Sequence, residues 1–240
     1  MAKSKAKFYA VLAGHKPGIY LTWAECQEQT KGFKGAKYKS FPTREEANLF
    51  MKGEVVVTSA EKKKEDYIVA AKEAERYAIE VSKEAGTVAI YTDGSRKQKP
   101  ESEDFVFGCG VAIIDGGDIQ HSFGKASDYK PYAVYENVAG ELLGAGEAFR
   151  YLQNNRPDVK KVVFFYDYQG IGHWAQHTWK AKNDMTQRYV AFMDTFRQET
   201  GVEIDFRHVK GHVGNKFNEH VDEIAGRVID EFIAKLQKGA

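Results

Sequence analysis

Two apolar runs that each end in an aspartate constrain this chain more than any other feature. Residues 87–95, Thr-Val-Ala-Ile-Tyr-Thr-Asp-Gly-Ser, carry no charge until Asp93, and residues 161–167, Lys-Val-Val-Phe-Phe-Tyr-Asp, carry none between Lys161 and Asp167. Short uninterrupted runs of apolar and aromatic residues read as strands buried on both faces. A carboxylate at the end of such a strand is costly unless something pairs with it. In open α/β sheets the ligand site lies just beyond the carboxyl ends of the strands. Asp-Gly-Ser alone could be only a turn. Two aspartates, on strands that would be neighbours in a doubly wound sheet, point to a shared site.

The length of 240 residues accommodates one large domain or two smaller ones, and 42% apolar with 29% charged residues fits an ordinary soluble protein. No apolar run is long enough for a transmembrane helix, so no membrane partner is expected. The first residues, Met-Ala-Lys-Ser-Lys-Ala-Lys, lack the apolar core of a secretion signal. Cys26 and Cys109 lie far apart and form no disulfide framework, so a reducing cytosol is the expected location. The net charge of +1 hides an asymmetry: residues 1–52 hold ten lysines and arginines against four glutamates, a net +6, which leaves −5 for the remainder. A basic, aromatic head on an acidic body suggests a reader of polyanions attached to something else.

Residues 7–52 read as a small α+β domain. Phe8–Leu12, Ile19–Leu21 and Tyr38–Phe41 are predicted strands, with a Pro17-Gly18 turn between the first two. Thr22 with Glu25 and Thr43 with Glu46 have capping-box spacing at the starts of two predicted helices. Residues 53–86 read as a connector: Lys62-Lys63-Lys64-Glu65-Asp66 is a charge run, and Tyr67, Ala71, Ala74, Ala78 and Val81 recur at helical spacing. This suits a semi-rigid spacer with a solvated face. From Thr87 onward the predicted order is three strands, a helix over 137–152, the strand at 161, helical segments over 170–177 and 184–199, a strand over 202–208 and a final helix over 215–236.

Two helices add acids to the pair on the strands. Glu141 borders the apolar stripe Val138, Leu142, Ala145 and Phe149, and Asp222 lies beside Val221, Ile224 and Ala225. Four clustered carboxylates would repel and raise one another's pKa values. A divalent cation removes that problem, and an all-oxygen ligand set favours Mg2+ or Mn2+ over zinc.

The head resembles the hybrid-binding domain of type 1 ribonucleases H, through Phe8-Tyr9-Ala10-Val11, Gly18-Ile19-Tyr20, Leu21-Thr22-Trp23, Cys26 and Tyr38-Lys39-Ser40-Phe41-Pro42-Thr43. Residues 87 to about 230 resemble the ribonuclease H catalytic domain, through Tyr-Thr-Asp93-Gly-Ser, Asn137-Val-Ala-Gly-Glu141-Leu, Phe-Tyr-Asp167-Tyr-Gln and Val-Lys-Gly-His212-Val-Gly-Asn with Asn218-Glu219-His-Val-Asp222. The resemblance implies an α/β fold, a mixed five-stranded sheet with helices on both faces, preceded by the small α+β domain. It divides the chain into a hybrid-binding domain over 1–52, a linker over 53–86 and a catalytic domain over 87–240. It implies an endonuclease that cuts the RNA strand of RNA–DNA hybrids by two-metal-ion catalysis, leaving 5′-phosphate and 3′-hydroxyl ends, as a monomer without an obligate protein partner. Asp93, Glu141, Asp167 and Asp222 would hold two Mg2+ ions, with Mn2+ as a substitute. His212 would assist proton transfer or product release. Tyr9, Trp23 and Tyr38 would face sugars or bases of the DNA strand, and Lys37 and Lys39 its phosphates. The physics agrees, because aromatic platforms with interleaved cations suit nucleic acid. Asn137 and Gln169 are candidates for minor-groove or 2′-hydroxyl contacts. Each can equally be a helix cap or a surface residue, and Trp23 a core residue.

The chain departs from the family at several positions. Ser40 stands where another basic residue is common, Tyr168 where many relatives have serine, and Glu136 where a small hydroxyl residue often helps to bind a DNA phosphate. The segment 174–182 is short and only mildly basic, unlike a long substrate-gripping protrusion. His173 and His177 lack the intervening glutamate of a helical zinc motif and read as incidental. Two other readings remain: a non-catalytic binder of hybrids or double-stranded RNA, and another polynucleotidyl transferase of the same fold. With no protrusion, the grip falls to the head. Deleting residues 1–52 is therefore expected to raise the Michaelis constant for a hybrid, and steady-state kinetics showing an unchanged constant would refute that assignment.

Overall fold

The structure, a computed structural model, describes residues 7–54, 59–211 and 213–238. It forms two compact units that divide between Asp66 and Tyr67.

In the smaller unit β1 (Phe8–Ala13) is the centre of an antiparallel sheet of order β2-β1-β3, with β2 at Gly18–Tyr20 and β3 at Lys37–Phe41. Helices α1 (Trp23–Thr30) and α2 (Arg44–Met51) start where the threonines were expected to cap them. Thr22 accepts from the backbone N–H of Glu25, whose carboxylate accepts in return from the Thr22 N–H at 3.0 Å. A small core of Ala10, Phe41 and Ala47 closes this unit.

The larger unit is built on a mixed sheet of order β6-β5-β4-β7-β8. Its strands are β4 (Thr87–Gln98), β5 (Phe105–Asp115), β6 (Asp118–Ser127), β7 (Lys161–Tyr166) and β8 (Glu203–His208). β4, β5 and β6 are antiparallel neighbours, whereas β4, β7 and β8 run parallel. Alternation along β4 and β7 explains why both runs are apolar throughout. Val88, Ile90, Val162 and Phe164 join one core with α5 (Asn137–Asn155) and α7 (Asp184–Thr200). Ala89, Tyr91, Val163 and Phe165 join another with Ala78, Val81 and Phe217. Those last residues belong to α3 (Ser59–Val81) and α8 (Lys216–Lys238). Two short helices, α4 (Lys130–Ala133) and α6 (Gly170–Ala175), complete the unit. Among the described residues no helix is long and apolar enough to cross a membrane.

Two expectations need correction. Asp93 does not end its strand, because β4 runs on to Gln98 as an antiparallel ribbon with β5. What ends near Asp93 is the parallel ladder to β7, whose last pair is Tyr91 with Phe165. Residues 67–86, read as connector, belong to the larger unit. Ala71 and Ala78 are buried, and the buried Asn215 amide donates to the Ala71 carbonyl at 3.1 Å. Asn215 Oδ1 also accepts from the N–H groups of Phe217 and Asn218, so one side chain both caps α8 and ties it to α3.

Two helices approach the sheet too closely for side chains between them. A Cβ at Gly94 would collide with the backbone of Glu141 on α5, and a Cβ at Gly110 with the Val221 carbonyl on α8. Gly146, by contrast, has open space around it. Gly110→Ala is expected to destabilise the protein by about 1–3 kcal/mol through overpacking. Gly146→Ala should be neutral or stabilising by up to about 1 kcal/mol, because alanine lowers the entropy cost of a helix position. Thermal melts followed by circular dichroism would check the opposite signs.

Candidate active site

Two neighbouring strands and one helix deliver three carboxylates to one place. Asp93 lies on β4 beside the end of the β7 ladder, and Asp167 follows the last residue of β7. Glu141 lies on the first turns of α5, where the helix backbone touches Gly94. One ligand oxygen from each of Asp93, Glu141 and Asp167 lies within 4.8 Å of the other two. Asp93 and Glu141 are buried, at 4% and 5% exposure, and Asp167 is half-buried.

The electrostatics follow from that crowding. Burial, then the charges of Asp167 and Asp222, push the Asp93 carboxyl up to about 8, against a smaller opposing effect of the Gly94 N–H. Burial, then Asp167 and Asp93, hold the Glu141 carboxyl well above its ordinary range. Glu141 Oε2 is buried without a hydrogen-bond partner. A buried oxygen left unpaired beside two more carboxylates is an unfavourable arrangement for a protein alone. It suits a hard divalent cation, which takes oxygen ligands and offsets the repulsion.

The other expected residues divide. Asp222, half-buried on α8, is outside the set of three mutually close ligand atoms, although its charge acts on Asp93. His212 lies outside the described residues. Asn137 is the first residue of α5 and Gln169 precedes α6; both are exposed, and Gln169 makes no side-chain cap. Helix capping therefore does not account for either amide. Tyr168 lies close enough to Glu141 for that charge to raise its hydroxyl pKa, after the larger effect of burial. His173 and His177 are engaged separately, with Thr178 at 2.7 Å and Asp194 at 2.9 Å.

In the smaller unit Tyr9, Trp23 and Tyr38 form one aromatic row, with ring centroids 5.8 Å apart on both sides of Trp23. Trp23 is 45% and Tyr38 46% exposed, so Trp23 is not a core residue. Lys37 is exposed, and Lys39 is ion-paired with Glu61 at 2.8 Å.

The start of α5 holds an arrangement around Glu136 that the sequence did not reveal. Glu136 has φ 58° and ψ −134°, a conformation uncommon outside glycine, and pairs with Arg96 at 3.5 Å. Arg96 in turn lies over the Phe105 ring at 4.6 Å. Arg96 sits within β4 opposite Phe107 and beside Lys97, and nothing local in the sequence signals its pairing with Glu136.

Residues 85–230 match the RNase H family, and residues 7–51 match the family described as the ribonuclease H1 N-terminal domain. Ribonuclease H1 of Homo sapiens is 26% identical over 91% of this chain and 87% of its own length. Ribonuclease H of Ralstonia nicotianae is 32% identical over 64% of this chain and 98% of its own. Among solved structures, LC11-RNase H1 in complex with RNA/DNA hybrid shares the fold at 21% identity and a TM-score of 0.50, over 61% of this chain and 99% of that one. The chain belongs to the ribonuclease H family and is an endoribonuclease.

The raised Asp93 pKa sets a testable sign. A carboxyl whose folded pKa lies above its unfolded value binds its proton more tightly when folded. Its contribution to stability is therefore lost as pH rises from the ordinary carboxylate range through about 8. In EDTA, Asp93→Asn is expected to raise the melting temperature at pH 8, by at least about 2 °C, and by less at pH 5. A melting-temperature difference independent of pH would contradict the assignment.

Proposed function

We propose that this enzyme hydrolyses the RNA strand of RNA–DNA hybrids, leaving 5′-phosphate and 3′-hydroxyl ends. The observation that carries the reading is the convergence of Asp93, Glu141 and Asp167 within 4.8 Å. Those three, with Asp222 beside them, would hold two Mg2+ ions, or Mn2+ in their place. When bound, the cations supply an activated water for in-line attack and stabilise the leaving 3′-oxygen. The chain does the rest. Burial of Asp93 and Glu141 keeps the ligand oxygens in a fixed, poorly hydrated position, where an electrostatic contact is worth more than in water. Asn137 and Gln169 offer exposed amides to the 2′-hydroxyls that distinguish RNA from DNA. His212 assists proton transfer or product release.

The head supplies grip. Trp23 and Tyr38, in a row with Tyr9, stack on sugars or bases of the DNA strand, and Lys37 and Lys39 meet its phosphates. Lys39 exchanges its Glu61 partner for a phosphate when it does so. Membership of the family and a matching ribonuclease H1 N-terminal domain support the hybrid as substrate. A non-catalytic binder would gain nothing from three carboxylates held together against their repulsion, which speaks against that reading.

The test uses an end-labelled RNA–DNA hybrid with Mg2+, beside single-stranded RNA, duplex RNA and duplex DNA. The RNA of the hybrid alone should be cut. Asp167→Asn should lower the rate on the order of 10²–10³-fold or more, the scale for losing a preorganised electrostatic contact. Binding without cleavage in both Mg2+ and Mn2+ would sink the catalytic claim.

A further inference from the structure

A groove of about 640 Å3 opens beside Asp167, wholly within the larger unit. That volume is in the range of ligand sites, roughly 300–1,000 Å3. Tyr168 and Trp179 form one wall, residues 208–210 another, and α3 the third through Tyr67 and a row of alanines. The α3 wall is fixed. Ala71 is buried, its carbonyl accepts from the Asn215 amide, and Glu75 accepts from the Lys216 N–H at 3.2 Å. Trp179 is also held in place, stacked on His173 with centroids 4.4 Å apart and edge-on to Trp174. Yet Trp179 is 42% and Tyr67 36% exposed. Partly exposed aromatic rings lining a groove, with Lys210 alongside, are the elements that bind a nucleic-acid strand: platforms for bases and a cation for phosphate.

The position of the groove identifies the strand. Asp167 belongs both to the carboxylate cluster and to the groove lining. The strand whose phosphate sits at the cluster is the one that is cut, so the strand that continues from the cluster along the groove is the same one. We propose that this groove holds the RNA strand just beyond the scissile bond, with Tyr67 and Trp179 against a base or sugar and Lys210 at a phosphate. Part of the segment between the two family matches, α3, then contributes directly to substrate binding. The inference rests on the hybrid-cleaving reading above.

The experiment uses the full chain. Wild-type cleavage of a hybrid is measured first; failure there removes the functional reading itself. Tyr67→Ala should then raise the Michaelis constant about five- to tenfold with kcat unchanged, and Tyr67→Phe should restore it. Separately, wild-type protein in EDTA is irradiated with hybrids that carry 4-thiouridine at single RNA positions, counted outward from the cleaved bond. Cross-links to residues 67–74 or to Trp179, from one side of that bond, are expected. With cleavage intact, either an unchanged constant for Tyr67→Ala or cross-links that fall only elsewhere would overturn the groove assignment.

Discussion

The close contact between α5 and β4 is the constraint on which the active site depends. A helix normally stands off a sheet by the length of its side chains. Here the backbones touch at Gly94 and Glu141, and Gly140 packs onto the backbone of Ser95. That contact carries Glu141 down to Asp93 and buries both. It also creates the cost: Asp93, Glu141 and Asp167 crowd one space, and the pKa values of Asp93 and Glu141 rise. The fold accepts a locally unfavourable arrangement that the core must offset. The offsetting material is visible. The sheet is covered on both faces, with Tyr91 stacked on Phe165 at 4.5 Å and Phe149 on Phe164 at 4.9 Å.

Charge is divided between the two units in a way that fits their different tasks. The head is basic and presents exposed aromatic rings, so it can meet a polyanion without folding around it. The catalytic unit is acidic overall, and its most concentrated negative charge lies where a phosphodiester must arrive. Binding of cations there reverses the local sign. An enzyme of this kind gains little long-range attraction for nucleic acid from its catalytic unit alone. A separate basic domain is the direct physical remedy.

What was legible in the sequence was what burial dictates. The stretches 88–91 of β4 and 162–166 of β7 were readable because both faces are covered and every residue there is apolar. Glu141 was readable because it borders an apolar stripe. The extension of β4 past Asp93 was not, since Ser95-Arg96-Lys97-Gln98 carries no apolar alternation and is set by its pairing with β5. The docking of α3 was missed for a different reason. Its buried face is built of alanines, Ala71, Ala74 and Ala78, which add little hydrophobicity to a charged helix. Small residues read as a weak stripe, yet they are what lets the helix lie close to the sheet and to Asn215. The position of Asp222, near Asp93 but outside the tight trio, is likewise set by how α8 seats against Gly110, which no local pattern reports.

Glu136 shows how a single departure shifts work from one part of a protein to another. A helix N-terminus carries partial positive charge and free N–H groups, and so favours a phosphate. At the start of α5 this chain places a carboxylate instead, in a backbone conformation with positive φ, and pairs it with Arg96. A phosphate that approached would meet Glu136 and would have to compete for Arg96. Glu141 follows five residues further along the chain, on the same helix, so this end already carries carboxylates. Weak phosphate binding at this point is consistent with a chain that has a basic head and an aromatic groove beside Asp167. Phosphate grip then falls to other parts of the chain, and the cluster is left to the cations and the bond being cut.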